Sequence, residues 1–168
     1  MLPRFLTSEL LESPNNAMLE DPRELAKFIT SKDGHKGMLG DVIIEEKSKT
    51  LGVRVLPDGK IEQSSQGSGK MWGVEFNSVE TFVSTFRPDG TLWFEGQLIG
   101  TTKDGDAVMV RGSGIGWPTG PGWSSAGRGA LYFQTQSQKF AKANKTVGVF
   151  EYESDAEGNG NVKVWEWK

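Results

Sequence analysis

Glutamate is not a favoured strand residue, so Glu95 within Thr91-Leu-Trp-Phe-Glu-Gly-Gln-Leu-Ile-Gly100 asks for a reason. Trp93, Gln97 and Ile99 alternate with it and share its side of a strand. If Pro88-Asp89-Gly90 is a three-residue turn with a glycine bulge, Arg87 lies opposite Thr91. Thr85 then meets Trp93, Val83 meets Glu95, and Thr81 meets Gln97. If Lys103-Asp104-Gly105 closes in the same way, Gln97 meets Arg111 and Ile99 meets Met109. A charged carboxylate among Val83, Trp93 and Ile99 must reach water or find a partner, because burying it alone is very costly. Arg111 is the nearest candidate partner, and Gln97 could orient the pair. The chemistry expected of such a group is that of a general acid or base. Burial favours its proton-donating form, and a paired arginine favours its proton-accepting form. Glu95 and Arg111 are therefore the expected catalytic residues, with Trp93, Gln97, Thr81 and Met109 expected to contact substrate.

These residues need strands to position them. From Asp41 onward the pattern is β, with candidate strands at 41–47, 51–56, 60–65, 71–76, 79–87, 91–102, 106–112, 129–136, 146–153 and 161–167. Pro57-Asp58-Gly59, Pro88-Asp89-Gly90, Asp104-Gly105 and Glu157-Gly158-Asn159-Gly160 supply turns between them. Many short strands joined by hairpins without helices predict an antiparallel up-and-down β-barrel of about 8–10 strands. Residues 1–38 are expected to form a short helical extension packed on that barrel domain of 39–168. Asp21-Pro22-Arg23-Glu24 starts a helix, and Leu25, Phe28 and Ile29 share one of its faces.

Two readings of the barrel wall stay open. One strand face carries Phe82, Phe86, Leu92, Phe94, Leu98 and Val108; the other carries the mixed set around Glu95. The phenylalanine face forms a core if it points inward. If it points outward under the N-terminal helices, the mixed face lines a cavity wide enough for one small ligand. A two-residue turn at Asp104-Gly105 would move Arg111 to the other face, since a one-residue slip inverts a strand. The stretch Gly112–Gly129, with seven glycines and two prolines, reads as an ordered loop over the barrel mouth. Trp117, within that loop, is expected to stack on ligand.

Composition excludes several classes. The chain of 168 residues has no cysteine and one histidine, His35, which removes disulfides, thiolate sites and multi-histidine metal sites within one chain. No metal or cofactor is expected. The net charge of −3 gives no basic footprint for nucleic acid or an anionic membrane, and no apolar run approaches a helical span. A soluble cytoplasmic protein is the expectation. Gly67-Ser68-Gly69-Lys70 lacks the glycine at 64 and the Ser or Thr at 71 of a phosphate loop. Gly112-x-Gly114-x-Gly116 runs into Trp117-Pro118, where a dinucleotide fingerprint needs a helix. Asp155, Glu157 and Asn159 lack the spacing of a calcium loop.

Arg87-Pro-Asp-Gly-Thr91, Glu95, Val110-Arg111-Gly112, Tyr132-Phe133-x-Thr135, and Asn144 followed by Val147-Gly148-Val149 resemble a family of small uncharacterised microbial proteins. That family is similar to the allene oxide cyclase-like and lipocalin-like barrels. The resemblance covers roughly residues 40–168 and implies a closed antiparallel barrel with a ligand cavity, sometimes used for cofactor-free cyclisation or isomerisation. It adds Tyr132 and Asn144 to the expected substrate contacts. Three functions compete. A cofactor-independent cyclase, isomerase or lyase for an apolar or aromatic metabolite would use Glu95 and would confine a flexible substrate in a reactive shape. A carrier or sensor would stack a small hydrophobic ligand on Trp93 and Trp117. A homo-oligomeric interaction module would use the exposed aromatics as an interface. A buried, structurally unpartnered Glu95 favours the first, an apolar cavity the second and a filled barrel the third.

Overall fold

The computed structural model describes residues 39–168. The helix expected after Asp21-Pro22, and the rest of the N-terminal extension, lie outside the described residues.

Eight antiparallel strands close into an up-and-down barrel in sequence order. They are β1 (Leu39–Val55), β2 (Ile61–Met71), β3 (Val74–Phe86), β4 (Leu92–Thr101), β5 (Ala107–Pro118), β6 (Ser125–Thr135), β7 (Val147–Ser154) and β8 (Asn159–Trp167). β1 pairs with both β2 and β8, so no sheet edge is left among the described strands.

The ten expected segments become eight strands for two local reasons. Segments 41–47 and 51–56 are one strand of 17 residues, with a register shift between Thr50 and Gly52 where Leu51 is the extra residue. Segment 71–76 straddles a turn. β2 continues through Ser65-Gln-Gly-Ser-Gly-Lys-Met71 and turns at Trp72-Gly73, both with positive φ (47° and 79°), as a two-residue mirror-type hairpin demands.

The long glycine-rich loop is also strand. β5 extends to Pro118 and β6 starts at Ser125, leaving a turn of residues 119–124. Gly112, Gly114 and Gly116 alternate with outward residues, which is a strand period rather than a loop. Their lack of side chains makes room for rings from neighbouring strands. A Cβ on Gly114 would sit 2.7 Å from Phe94 Cζ, and one on Gly129 2.8 Å from Phe150 Cε1. The interior is thus packed by large side chains over glycines.

The central register is the bulged one. Arg87 N–H donates to Thr91 O at 2.9 Å, and Thr102 N–H to Asp106 O at 3.0 Å. Thr81↔Gln97, Val83↔Glu95, Thr85↔Trp93, Gln97↔Arg111 and Ile99↔Met109 all follow. The phenylalanine face points inward. Phe94, Leu98, Val108 and Val110 are buried with Ile44, Met71, Phe76, Leu131, Phe133, Phe150 and Val164. Phe86, on the same face at the rim, stays exposed.

One end of the barrel is plugged. Call it the lower end, where the β2–β3, β4–β5 and β6–β7 turns lie. The β6–β7 connection carries a 3₁₀ segment, Ala141–Lys145, and seats Phe140 and Ala143 into the barrel with 1% and 0% exposure. Trp72 packs edge-on to Phe133 at 5.2 Å and against Phe140 at 6.1 Å between ring centroids. Truncating this plug leaves a cavity that the closed sheet cannot collapse around. Phe140→Ala is expected to destabilise the barrel by about 3–5 kcal/mol, read from urea denaturation midpoints.

Candidate functional site

Toward the upper end the interior turns polar. Glu46 on β1 follows Ile44 on the inward parity, and Ser78 and Glu80 on β3 precede Phe82 on theirs. Glu46, Ser65, Ser78 and Glu80 are all buried. The Ser78 hydroxyl bonds to Glu46 Oε1 and to Glu80 Oε1, the latter at 2.9 Å. Gly67, between them on β2, makes this possible: a Cβ there would collide with Glu46 Oε1 and lie 2.7 Å from Ser78 Oγ.

A serine hydroxyl has one proton to donate. It cannot donate to two carboxylates, so one contact must be a carboxyl O–H donating to Ser78 Oγ. Glu46 is the group that keeps its proton. Burial, then the charge of Glu80, raise its pKa from 4.5 to about 8, against the opposing bond from Ser78. The arrangement is therefore a chain from a neutral Glu46 through Ser78 to the Glu80 carboxylate. It can hold a proton in an apolar barrel and move it over a short path.

The register places aromatic groups beside this chain. Glu46, Val162 and Tyr152 lie in one interior row across β1, β8 and β7. The Tyr152 ring meets Phe94 edge-on at 5.6 Å, and burial pushes its hydroxyl above the usual phenol range. Nearer the upper end Ser125 and Ser154 share a hydrogen bond of 2.8 Å, and Gln63 donates to Thr50 Oγ1 at 2.9 Å. These upper residues are half-buried, whereas Phe140 and Ala143 at the plugged end are buried.

The residues singled out in the sequence lie elsewhere. Glu95, Arg111, Gln97 and Met109 are exposed on the outer wall, with Trp93, Tyr132 and the half-buried Thr81 on the same side. The register does gather Thr81, Gln97, Arg111 and Tyr132 into one outer row. Among the described residues, no ion pair joins Glu95 to Arg111, and neither faces the interior. Trp117 belongs to β5 rather than to a lid. Asn144 closes the β6–β7 connection, accepting from Thr135 N–H at 2.8 Å and donating to Thr135 O at 3.0 Å. The interior chain had a signal in the sequence: Glu46, Ser78 and Glu80 share parity with Ile44 and Phe82, and that parity identifies them once the phenylalanine face is known to be inside.

Among the described residues no cluster of His, Cys, Asp and Glu is arranged to hold a metal ion. Asp155 instead caps its own turn, accepting from Glu157 and Asn159 N–H groups. A groove of about 630 Å³ is lined by residues of β1, β2, β7 and β8, among them Glu46, Tyr152, Val162 and the pair Lys163–Glu45 at 3.4 Å. Among the described residues no helix is long and apolar enough to cross a membrane.

Comparison with known proteins gives the fold. No family model matches the chain, and no curated protein does. A conserved protein of unknown function from Rhodopseudomonas palustris is similar in structure, with a TM-score of 0.66 at 14% identity, over 78% of this chain and 97% of that one. A protein of unknown function from Clostridium acetobutylicum reaches 0.67 at 13%, over 78% and 97%. A β-barrel-like protein from Acinetobacter baumannii reaches 0.60 at 12%, over 76% and 96%. At these identities the likeness shows a shared β-barrel fold. None of the three is described as allene oxide cyclase-like.

The buried proton has a thermodynamic consequence. Below pH 4.5 Glu46 is protonated whether the chain is folded or unfolded. Between 4.5 and about 8 the unfolded chain releases that proton and the folded barrel keeps it, so stability falls as pH rises. Above about 8 both states are ionised and this contribution stops changing. Urea midpoints measured across that window should fall with pH for the native chain, and Glu46→Gln should flatten the slope. An unchanged slope in the variant would place the titrating group elsewhere.

Proposed function

We propose that the barrel binds a small apolar or aromatic molecule at the upper end of its interior and acts on it by cofactor-independent proton transfer, as an isomerase, cyclase or lyase. The observation that carries this reading is the hydroxyl-linked pair Glu46–Ser78–Glu80, followed on the same face of β3 by Phe82, whose ring packs on Phe94, which in turn meets Tyr152. A carboxyl and a carboxylate held close in an apolar site cost stability, and environments that push two titratable groups apart mark acid and base assignments. Glu80 takes a proton from the carbon next to a carbonyl, and Glu46 donates one to the carbonyl oxygen. The C–H bond breaks as the O–H bond forms, giving an enol. Glu80 then gives its proton to a different carbon as the enol O–H returns its proton to Glu46, which re-forms the carbonyl, completes an isomerisation and restores both glutamates, with Ser78 holding the two side chains in place. Confinement in the barrel supplies orientation.

The test uses two probes. Nile red fluorescence reports apolar binding, and deuterium exchange into a cyclic β,γ-unsaturated ketone reports proton transfer. The native chain should bind Nile red and accelerate exchange. Glu46→Gln should keep binding and lose about 10²–10⁴-fold of the exchange rate, the range for one general acid or base. Binding with no acceleration by the native chain would leave a carrier or sensor, and equal rates in both proteins would remove Glu46 from the chemistry.

A further inference from the structure

The outer wall of β3–β6 carries an apolar surface with Glu95 and Arg111 set into it, on the face opposite the interior chain. Trp93, Met109 and Tyr132 stand there with 42%, 39% and 57% exposure, values high for large apolar side chains clustered on one wall. Glu95 and Arg111 lie in adjacent rows of neighbouring strands, since Glu95 pairs with Ser113 and Arg111 with Gln97. They are diagonal neighbours, a separation of roughly 7–8 Å between Cα atoms in such a pair.

That spacing makes the surface complementary to itself. We propose that this wall is the interface of a symmetric dimer, with a second copy of the chain as its partner and Glu95 of each copy paired to Arg111 of the other. A two-fold axis lying in the interface and bisecting the line from Glu95 to Arg111 exchanges the two positions, so one contact generates both ion pairs. The same operation can be followed on a flat sheet lattice, with strands about 4.8 Å apart and alternate residues about 6.8 Å apart. It sets Trp93 over Tyr132 of the second copy, and Met109 over Val83 of the second copy. Apolar side chains thus meet apolar side chains where charge meets opposite charge. Aromatic residues, methionine and arginine are the types enriched at such interfaces.

The interface does not depend on the interior chemistry, and its test is separate from it. Sedimentation velocity over concentrations up to about 100 μM, the range that detects all but weak dimers, should show the native chain associating. Glu95→Arg sets two arginines against each other at both contacts, and Arg111→Glu sets two glutamates. Each should raise the dissociation constant by about tenfold or more. The double reversal, E95R with R111E, restores both opposite-charge pairs and should recover the dimer, as should an equimolar mixture of the two single variants. Both positions are on the outer wall, so thermal melts of the variants should match the native protein at concentrations where it is monomeric. A native chain that stays monomeric throughout overturns the proposal. So does a dimer indifferent to both single reversals, or a double reversal that folds and fails to associate.

Discussion

Barrel closure is the constraint on which the other features depend. Once β1 pairs with β8, the interior has a set volume, and every inward side chain must share it. The chain meets this by pairing large with absent. Phe94 lies over Gly114, Phe150 over Gly129, and the Tyr152 hydroxyl beside Gly116, each at a distance that a methyl group would violate. The glycines concentrated on β5 and β6 are therefore volume partners of the aromatic residues on β4 and β7. The same device recurs at Gly67, where the space goes to a carboxyl group and a serine hydroxyl instead of a ring. Packing and chemistry draw on one geometric resource.

This accounts for what could be read from the chain and what could not. Turn chemistry is local, so the bulged reading of Arg87-Pro-Asp-Gly-Thr91 and Lys103-Asp-Gly105 predicts the observed β3–β4–β5 register, although a two-residue turn at Asp104-Gly105 is also open on the sequence. The barrel class followed from the number of such hairpins. The β2–β3 turn was missed because Trp72 holds a positive φ that tryptophan rarely adopts, and its ring is retained there by Phe133 and Phe140, which are distant in sequence. Gly112–Gly129 read as loop because glycine weakens a strand locally, and the rings that compensate come from other strands. The direction of the phenylalanine face was open for the same reason. Alternation says which residues share a side, and only closure says which side is inside.

The interior carboxyl pair has a cost that shapes the rest of the polar half. No basic side chain faces Glu46 among its bonded neighbours; the partners are a hydroxyl and another carboxyl. Neutrality is reached by keeping a proton rather than by adding an arginine. The charge of the site is thereby set by a titratable group rather than by a fixed cation. The outer wall uses the other solution. Arg54–Glu62 at 2.8 Å and Arg128–Glu151 at 2.9 Å are paired at the surface, where screening keeps each worth little.

Glu95 and Glu46 illustrate how the same residue type acquires opposite roles. Both lie within β-strands, and both have aromatic residues on their own side of the sheet. Glu95 stood out because tryptophan and isoleucine flank it within one strand, which makes its surroundings look enclosed when read along the chain. Glu46 sits in Glu45-Glu46-Lys47-Ser48-Lys49, which reads as a solvated charge run. Alternation splits that run: Glu45 and Lys47 point outward, and Glu45 meets Lys163, while Glu46 points in. Enclosure is a property of the wall and not of the strand. A carboxylate beside tryptophan on the convex side still reaches water past the curve of the sheet. One surrounded by charge in sequence can be cut off from water entirely, because its charged neighbours are on the other face.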